Sequence, residues 1–316
     1  MRGSIRASVR ADHPPVLAPA YFLPCMLPDT PQPLFVAQRH AALHALLHNP
    51  SAIGGIVVLL LVALLALLAG QLFPGDPQDM VARPLLAPLQ DAGFFLGSDS
   101  LGRNVAAGLA HGARVSLMVG IVAASLSLVI GVLVGATAGY FGGWVDDVLV
   151  RLTELVQTVP AFLFVIVIVA IGQPSVTVIV LAIGFASWPV IARLVRAEFR
   201  SLRETEFVQA ARSQGFSDIR IVLQEILPNA MPPVIVSVSV LVATAILMES
   251  ALAFVGLGDA NVVSWGSMIG EGREHLRTAW TLTALPGGAI VLTVLALNLL
   301  GDGLNDAFNP RLRGRS

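Results

Sequence analysis

The sequence predicts an all-α polytopic membrane protein with six transmembrane helices. Three observations predict it. Charged residues make up 12% of the 316-residue chain and the mean hydropathy is +0.79, whereas an ordinary soluble domain is about 25% charged. Six apolar stretches approach the length of about 20 residues that a helix needs to cross the hydrocarbon. Arginines cluster in the loop after the fourth stretch and at both termini, three regions that six spans place on one side.

Taken in order, residues 1–45 read as a disordered N-terminal arm ending in a short interfacial helix. The apolar stretch 16–27 is broken by Pro19 and Pro24, which disfavours a signal-peptide helix, and Pro24 before Cys25 does not fit a small-residue cleavage site. Translation starting at Met26 would remove most of this arm. Cys25 is the one cysteine, so no internal disulfide can form. His40, His44 and His48 recur every fourth residue. On a helix they form one row, which could bind a transition metal, but no carboxylate or thiol completes a ligand set nearby. An interfacial helix with Leu43, Leu46 and Leu47 toward lipid is the simpler account.

The predicted spans are 52–73, 116–138, 160–171 with an amphipathic lead from 145, 176–195, 232–255 and 285–300. The third and sixth are short and must borrow flanking residues. The second carries Gly131, Gly135 and Gly139 at four-residue spacing, a face that lets another helix backbone approach closely. Three units follow: the arm (1–45), the first span with an external loop (46–113), and a core unit (114–313) containing a cytoplasmic loop at 196–228. Arg196, Arg200, Arg203, Arg212 and Arg220 mark that loop as cytoplasmic. Six spans place both termini on the same side, where Arg2, Arg6, Arg10 and Arg39 in the arm and Arg311, Arg313 and Arg315 in the tail agree.

Composition also excludes functions. There is no lysine; all 19 basic residues are arginine. A P-loop needs a lysine to reach the terminal phosphates, so the chain carries no conventional ATPase site of its own. No basic domain exists to hold a nucleic-acid backbone. An intramembrane hydrolase would need a nucleophile with a base, or metal ligands; Ser125 and Ser127 lie in the second predicted span, but none of the six contains a histidine. A self-sufficient secondary transporter would place ionisable coupling residues at midplane. Glu249 is the one carboxylate well inside an apolar run, and it either lines a pathway or forms a structural hydrogen bond between helices.

The segment 204–228 is polar, bears arginine, and lies between two apolar stretches. Residues 204–214 have helical spacing, with Phe207, Ala210 and Ala211 available to one face. Gly215 can close that helix in the left-handed conformation. Ser217 or Asp218 can cap the next one, and Pro228 sets the start of the fifth span. Ala210, Ala211, Gly215, Leu227 and Pro228 fall at the spacing of the cytoplasmic coupling loop of ABC-importer permeases, with Gln209 where a glutamate is usual. Two further stretches extend the resemblance. One is Leu96-Gly97-Ser98-Asp99-Ser100-Leu101-Gly102-Arg103-Asn104, followed by Gly112-Ala113-Arg114-Val115-Ser116-Leu117. The other comprises Glu249 to Gly258, Ser264-Trp265-Gly266 and Asn298 to Pro310. The chain therefore resembles the C-type permease of the peptide/nickel ABC importer family over most of residues 45–313. Asp259-Ala260-Asn261-Val262-Val263 departs from the proline-rich stretch common there, as do Asn305, Asn309 and Glu225 at their positions.

The resemblance implies the six-helix fold of type I importer permeases in a bacterial or archaeal cytoplasmic (inner) membrane, with substrate being dipeptides or oligopeptides. Nickel or another small solute is the alternative within the same architecture. It implies a second homologous permease, two ATPase subunits and an external solute-binding protein as partners, besides membrane lipid. It implies that Glu206, Gln209, Ala210, Ala211, Gly215, Leu227 and Pro228 form the ATPase-coupling loop. No catalytic group, metal or cofactor is expected on this chain, with ATP and magnesium held by the partner ATPases.

Overall fold

The structure, a computed structural model, describes residues 46–308. The N-terminal arm, Cys25, His40, His44, Asn309 and the arginines of both termini lie outside them. Nine helices make up the described part: α1 (Pro50–Leu72), α2 (Val105–Phe141), α3 (Gly143–Thr158), α4 (Ala161–Gly172), α5 (Val176–Arg203), α6 (Glu206–Ser213), α7 (Asp218–Phe254), α8 (Trp265–Gly272) and α9 (Thr281–Phe308). Five are long and apolar enough to cross a membrane. A sixth crossing is the pair α3–α4, bent by 76° at Val159–Pro160.

Successive crossings are antiparallel, which gives the bundle two ends. At the upper end lie the 73–104 loop, the α4–α5 turn, α8 and the start of α9. At the lower end lie Asn49, the α2–α3 turn, the 204–217 segment and the end of α9. Asn49 and Asp306 meet there, Nδ2 to Oδ2 at 3.2 Å, so both described ends of the chain share the lower side.

The helices overrun the apolar stretches that announce them, because their terminal turns are polar. α2 begins at Val105, well before residue 116, capped by the Asn104 side chain on the amides of Ala106 and Ala107. It therefore includes His111, whose Nε2 sits 3.1 Å from the Phe73 carbonyl. A domain boundary at 113/114 falls inside this helix. The third crossing is not one span: α4 has 12 residues, about 18 Å, well short of the hydrocarbon thickness of about 30 Å. Pro160 lacks the amide that would continue α3 into α4.

Pro228 stands in the first turn of the regular α-helix Leu227–Phe254, as expected, but that helix has a helical lead. α7 begins ten residues earlier, at Asp218, and contains a π-turn at Ile221–Ile226. There the Leu227 amide bonds the Val222 carbonyl, five residues back. A proline ring clashes with the carbonyl four residues before it in a regular helix, and the widened turn just ahead of Pro228 relieves that clash. The Asn229 side chain donates to the Glu225 carbonyl at 2.6 Å.

The central contact of the bundle is α2 on α5. A Cβ built on Gly131 would stand 2.6 Å from Ile191 Cβ, one on Gly135 2.5 Å from the Ala192 carbonyl, and one on Gly139 2.6 Å from Phe199 Cβ. Missing side chains thus bring the two backbones into direct contact. Ser127 adds a hydrogen bond to the Gly184 carbonyl at 3.0 Å. On the other side of α2, the 112–117 stretch meets α8: Trp265 is buried, donates from Nε1 to the Leu109 carbonyl at 3.0 Å, and lies against Gly112. Arg114 ties α2 to α1 through the Ala66 carbonyl at 3.2 Å.

The upper loop is folded. Ser98 is buried and accepts from the Leu86 amide, while its hydroxyl donates to the Arg83 carbonyl. Gly97 and Gly102 have φ of +80° and +83° and lie so close to the carbonyls of Leu86 and Ala82 that no side chain fits. Asp259 caps α5 from a distance, accepting from the Val176 amide at 3.1 Å.

Replacing Gly135 with Val should force α2 from α5 and cost about 1–3 kcal/mol, as overpacking does. A lowered melting temperature of the detergent-solubilised protein is the expected outcome. Gly54→Ala, where nothing lies within 4 Å of the added atom, should leave it unchanged.

Candidate coupling site

α6 stands at the lower end as an eight-residue helix with two unlike faces. Val208 and Ala211, three apart, are buried in the core, whereas Glu206, Phe207, Gln209 and Ala210 are exposed. This corrects the grouping of Ala211 with Phe207 and Ala210: residues three apart share a face, but the pairs are Val208 with Ala211 and Phe207 with Ala210. Ala211 holds α6 to its own chain and is unavailable to another.

Gly215 closes α6. Its φ is +77°, its amide bonds the Arg212 carbonyl at 2.9 Å, and the Phe216 amide reaches back to the Ala211 carbonyl at 3.2 Å. These two bonds form a Schellman motif. Nothing lies within 4 Å of a Cβ built there, so the position demands a backbone conformation and not empty space.

The segment is seated on the lower end of α2. The Tyr140 hydroxyl donates to Asp218 Oδ1 at 2.5 Å, and the Arg212 guanidinium lies 5.6 Å from the Tyr140 ring centre. Arg203 donates to the Tyr140 carbonyl at 3.0 Å and pairs with Glu204 at 3.0 Å. The expected capping by Ser217 or Asp218 does not occur: Ser217 stands at the cap position of α7 without a side-chain bond, and the Asp218 carboxylate is taken by Tyr140. Leu227 and Pro228 lie partly buried in α7, beyond the π-turn. Tyr140 gives no signal in the sequence, since a tyrosine at the end of an apolar stretch reads as an interfacial anchor.

A second missed feature is an ion pair across the broken crossing. Asp146 of α3 accepts from both Nε and Nη2 of Arg196 on α5, the latter at 2.7 Å, and Arg200 approaches to 3.8 Å. Asp146 is buried. Arg196 is counted among the loop arginines by the sequence, yet it lies inside α5.

Glu249, in α7, is buried, and the Ser250 hydroxyl donates to its Oε2 at 3.4 Å. Ser264 caps α8 by accepting from the Ser267 amide at 3.1 Å. Glu249 thus lies where α7 packs on α8, whose Gly266 stands against Ser250. It does not line the upper cavity of about 480 Å³ bounded by the 73–104 loop, the α7–α8 loop and α8. At that cavity Arg103 pairs with Glu271 at 3.3 Å. Burial holds the Glu271 carboxyl above its ordinary range against the opposing pull of Arg103. No cluster of three or more metal-ligating side chains occurs among the described residues.

The sequence matches two family profiles. Residues 131–314 match the profile described as "Binding-protein-dependent transport system inner membrane component". The chain belongs to this family. Residues 38–88 of the permease match "N-terminal TM domain of oligopeptide transport permease C". The permease is 38% identical over 272 residues to the di/tripeptide transport system permease protein DppC of Pseudomonas aeruginosa, covering 84% of this chain and 90% of that one. It is 39% identical over 270 residues to the oligopeptide transport system permease protein OppC of Escherichia coli K12, covering 84% and 89%. Among solved structures, a chain of the MetNI methionine ABC transporter, in inward-facing conformations, aligns with TM-score 0.52 at 18% identity over 64% of this chain and 96% of that one. The fold is therefore that of an ABC-importer permease of type I, in a multi-pass inner membrane protein.

Because Gly215 is chosen by its φ, Gly215→Ala and Gly215→Leu should weaken the segment equally, by about 1–2 kcal/mol. Gly215→Asn should be milder. The check is tryptic cleavage at the exposed Arg212, expected to accelerate by roughly 5–30-fold with the local opening equilibrium. Asp146→Asn should destabilise the fold more than Asp146→Asn combined with Arg196→Gln, because the single change leaves a guanidinium without its counter-charge; thermal melting of the three proteins measures it.

Proposed function

We propose that the permease carries dipeptides or oligopeptides inward across the cytoplasmic membrane, driven by ATP hydrolysed on separate subunits. The observation that carries the reading is α6: a short helix whose inner face is locked into the core and whose outer face, Glu206, Phe207, Gln209 and Ala210, is presented at the lower end. A rigid seat under an exposed helix suits transmission of movement from a docked partner. Push α6 and the displacement passes through Tyr140 and Asp218 into α2 and α7. The arginine pattern makes the lower end cytoplasmic, with both termini there. The names of the relatives at 38–39% identity support peptides as substrate.

On this reading the working assembly contains a second homologous permease, two ATPase subunits and an external solute-binding protein. ATP and magnesium reside on the ATPases. This chain does mechanical work and no covalent chemistry. Glu206, Gln209 and Ala210 touch the ATPase, while Ala211, Gly215, Leu227 and Pro228 keep the contact in place. Glu249 lies where α8 packs on α7.

Purification of the tagged chain from its own membranes in mild detergent should recover a second permease and two ATPase subunits. Gly215→Pro, which removes a bonded amide and forbids the observed φ, should lose the ATPases and retain the second permease. Recovery of the chain alone, with wild type and variant alike, would sink the coupling assignment. Proteoliposomes of the complex with its binding protein should accumulate a radiolabelled dipeptide only with ATP; uptake of other solutes but no peptide would sink the substrate assignment.

A further inference from the structure

Beside the broken crossing lies a cleft, lined in part by charged side chains, that the coupling reading leaves unused. α4 descends from the upper end for 12 residues, about 18 Å, so the bend at Val159–Pro160 falls about 12 Å short of the lower boundary of a 30 Å hydrocarbon layer. From the bend, α3 runs back to the lower end at a steep angle to α4. Between α3, α2 and α5 lies a cavity of about 200 Å³. Gly135 and Ala138 of α2 line it, with Glu154 and Gln157 from α3 and Arg193 from α5.

Glu154, Gln157 and Arg193 are exposed. Among the described residues, none of the three makes a side-chain hydrogen bond, and neither charge makes an ion pair. Arg196, one turn below Arg193, is committed to Asp146. Arg193 cannot be dismissed as a loop residue. It lies inside α5, 17 residues from the upper start of that helix, about 26 Å along it, and so toward the lower edge of a hydrocarbon layer of about 30 Å. Charged groups on membrane-spanning helices face a bundle interior or an aqueous cavity, and they mark pathways for polar substrates. The two unpaired charges meet this condition together, at one cleft.

We infer that the α3–α5 cleft is a waypoint on the translocation path that takes the charged ends of a short zwitterionic peptide, with Arg193 receiving the carboxylate and Glu154 the ammonium. The inference rests on the peptide-permease reading above. Every unmodified peptide carries these two charges whatever its side chains, so a cleft lined by an unpaired cation, an unpaired anion and an amide suits passage without selecting sequence. Its small volume accepts a chain end and not a folded or bulky solute.

The test uses the whole complex in proteoliposomes with Cys25→Ser as background, which leaves this chain without thiols. Peptide uptake is measured first: no uptake by this background means that the substrate reading has failed. Arg193→Cys, Glu154→Cys and Gln157→Cys are then treated with a charged, membrane-impermeant methanethiosulfonate. Val190→Cys, exposed on α5 but outside the cleft, is the lipid-facing control. All three cleft positions should react, the control should not, and a saturating imported dipeptide should slow the reaction by at least about tenfold, as expected when a charge-assisted contact is occupied. Arg193→Gln and Glu154→Gln should each cut dipeptide uptake by a similar factor while the complex still assembles. Reaction without protection by an imported peptide, no reaction within the assembled complex, or normal uptake by both glutamine variants would each overturn the assignment.

Discussion

The rest of the permease depends on the direct backbone contact between α2 and α5. Three glycines on one face of α2 let α5 approach until added methyl groups would overlap its main chain. Lipid tails are as apolar as leucine, so helices in a membrane gain nothing from simple burial and associate through close van der Waals contact. Everything functional hangs on this pair. The lower end of α2 carries Tyr140, which seats the coupling segment, and α5 continues directly into it. α5 also holds Arg196, which anchors the broken third crossing through Asp146. A bundle without the glycine face would separate these attachments from one another.

Much of this was legible in the sequence, for a physical reason. Membrane spans announce themselves by composition alone, and the glycines, the Gly215 turn and the 204–214 helix follow from spacing and backbone geometry. What stayed hidden is set by tertiary partners. Nothing local distinguishes Ala211 from Ala210, yet one is buried and the other exposed, because the inner face of α6 is chosen by where α7 and α5 lie. Pro228 signals a helix start in isolation, but a π-turn ahead of it lets the helix begin at Asp218. Asp146, Arg196 and Tyr140 look like ordinary boundary residues until their partners, 50 and 78 positions away, are in view.

The family-like motifs at the upper end acquire structural meanings in the same way. The glycines of the 96–104 stretch sit under carbonyls. The 112–117 stretch and the Ser264-Trp265-Gly266 stretch are two halves of one contact between α2 and α8. Even the departure at Asp259 has a place, since its carboxylate caps α5. Ser98, Asp259 and Trp265 each hold a backbone group that would otherwise go unsatisfied.

The division of α6 into two faces has an evolutionary consequence. The residues that fold the helix and those that meet a partner are different residues, so the outer face can drift without penalty to the fold. Gln209, standing where relatives of this kind usually carry glutamate, lies on that outer face. Pairing between a permease and its motor can therefore be rewritten by a few substitutions, and duplicated transport systems in one cell can become insulated from each other while keeping the same architecture.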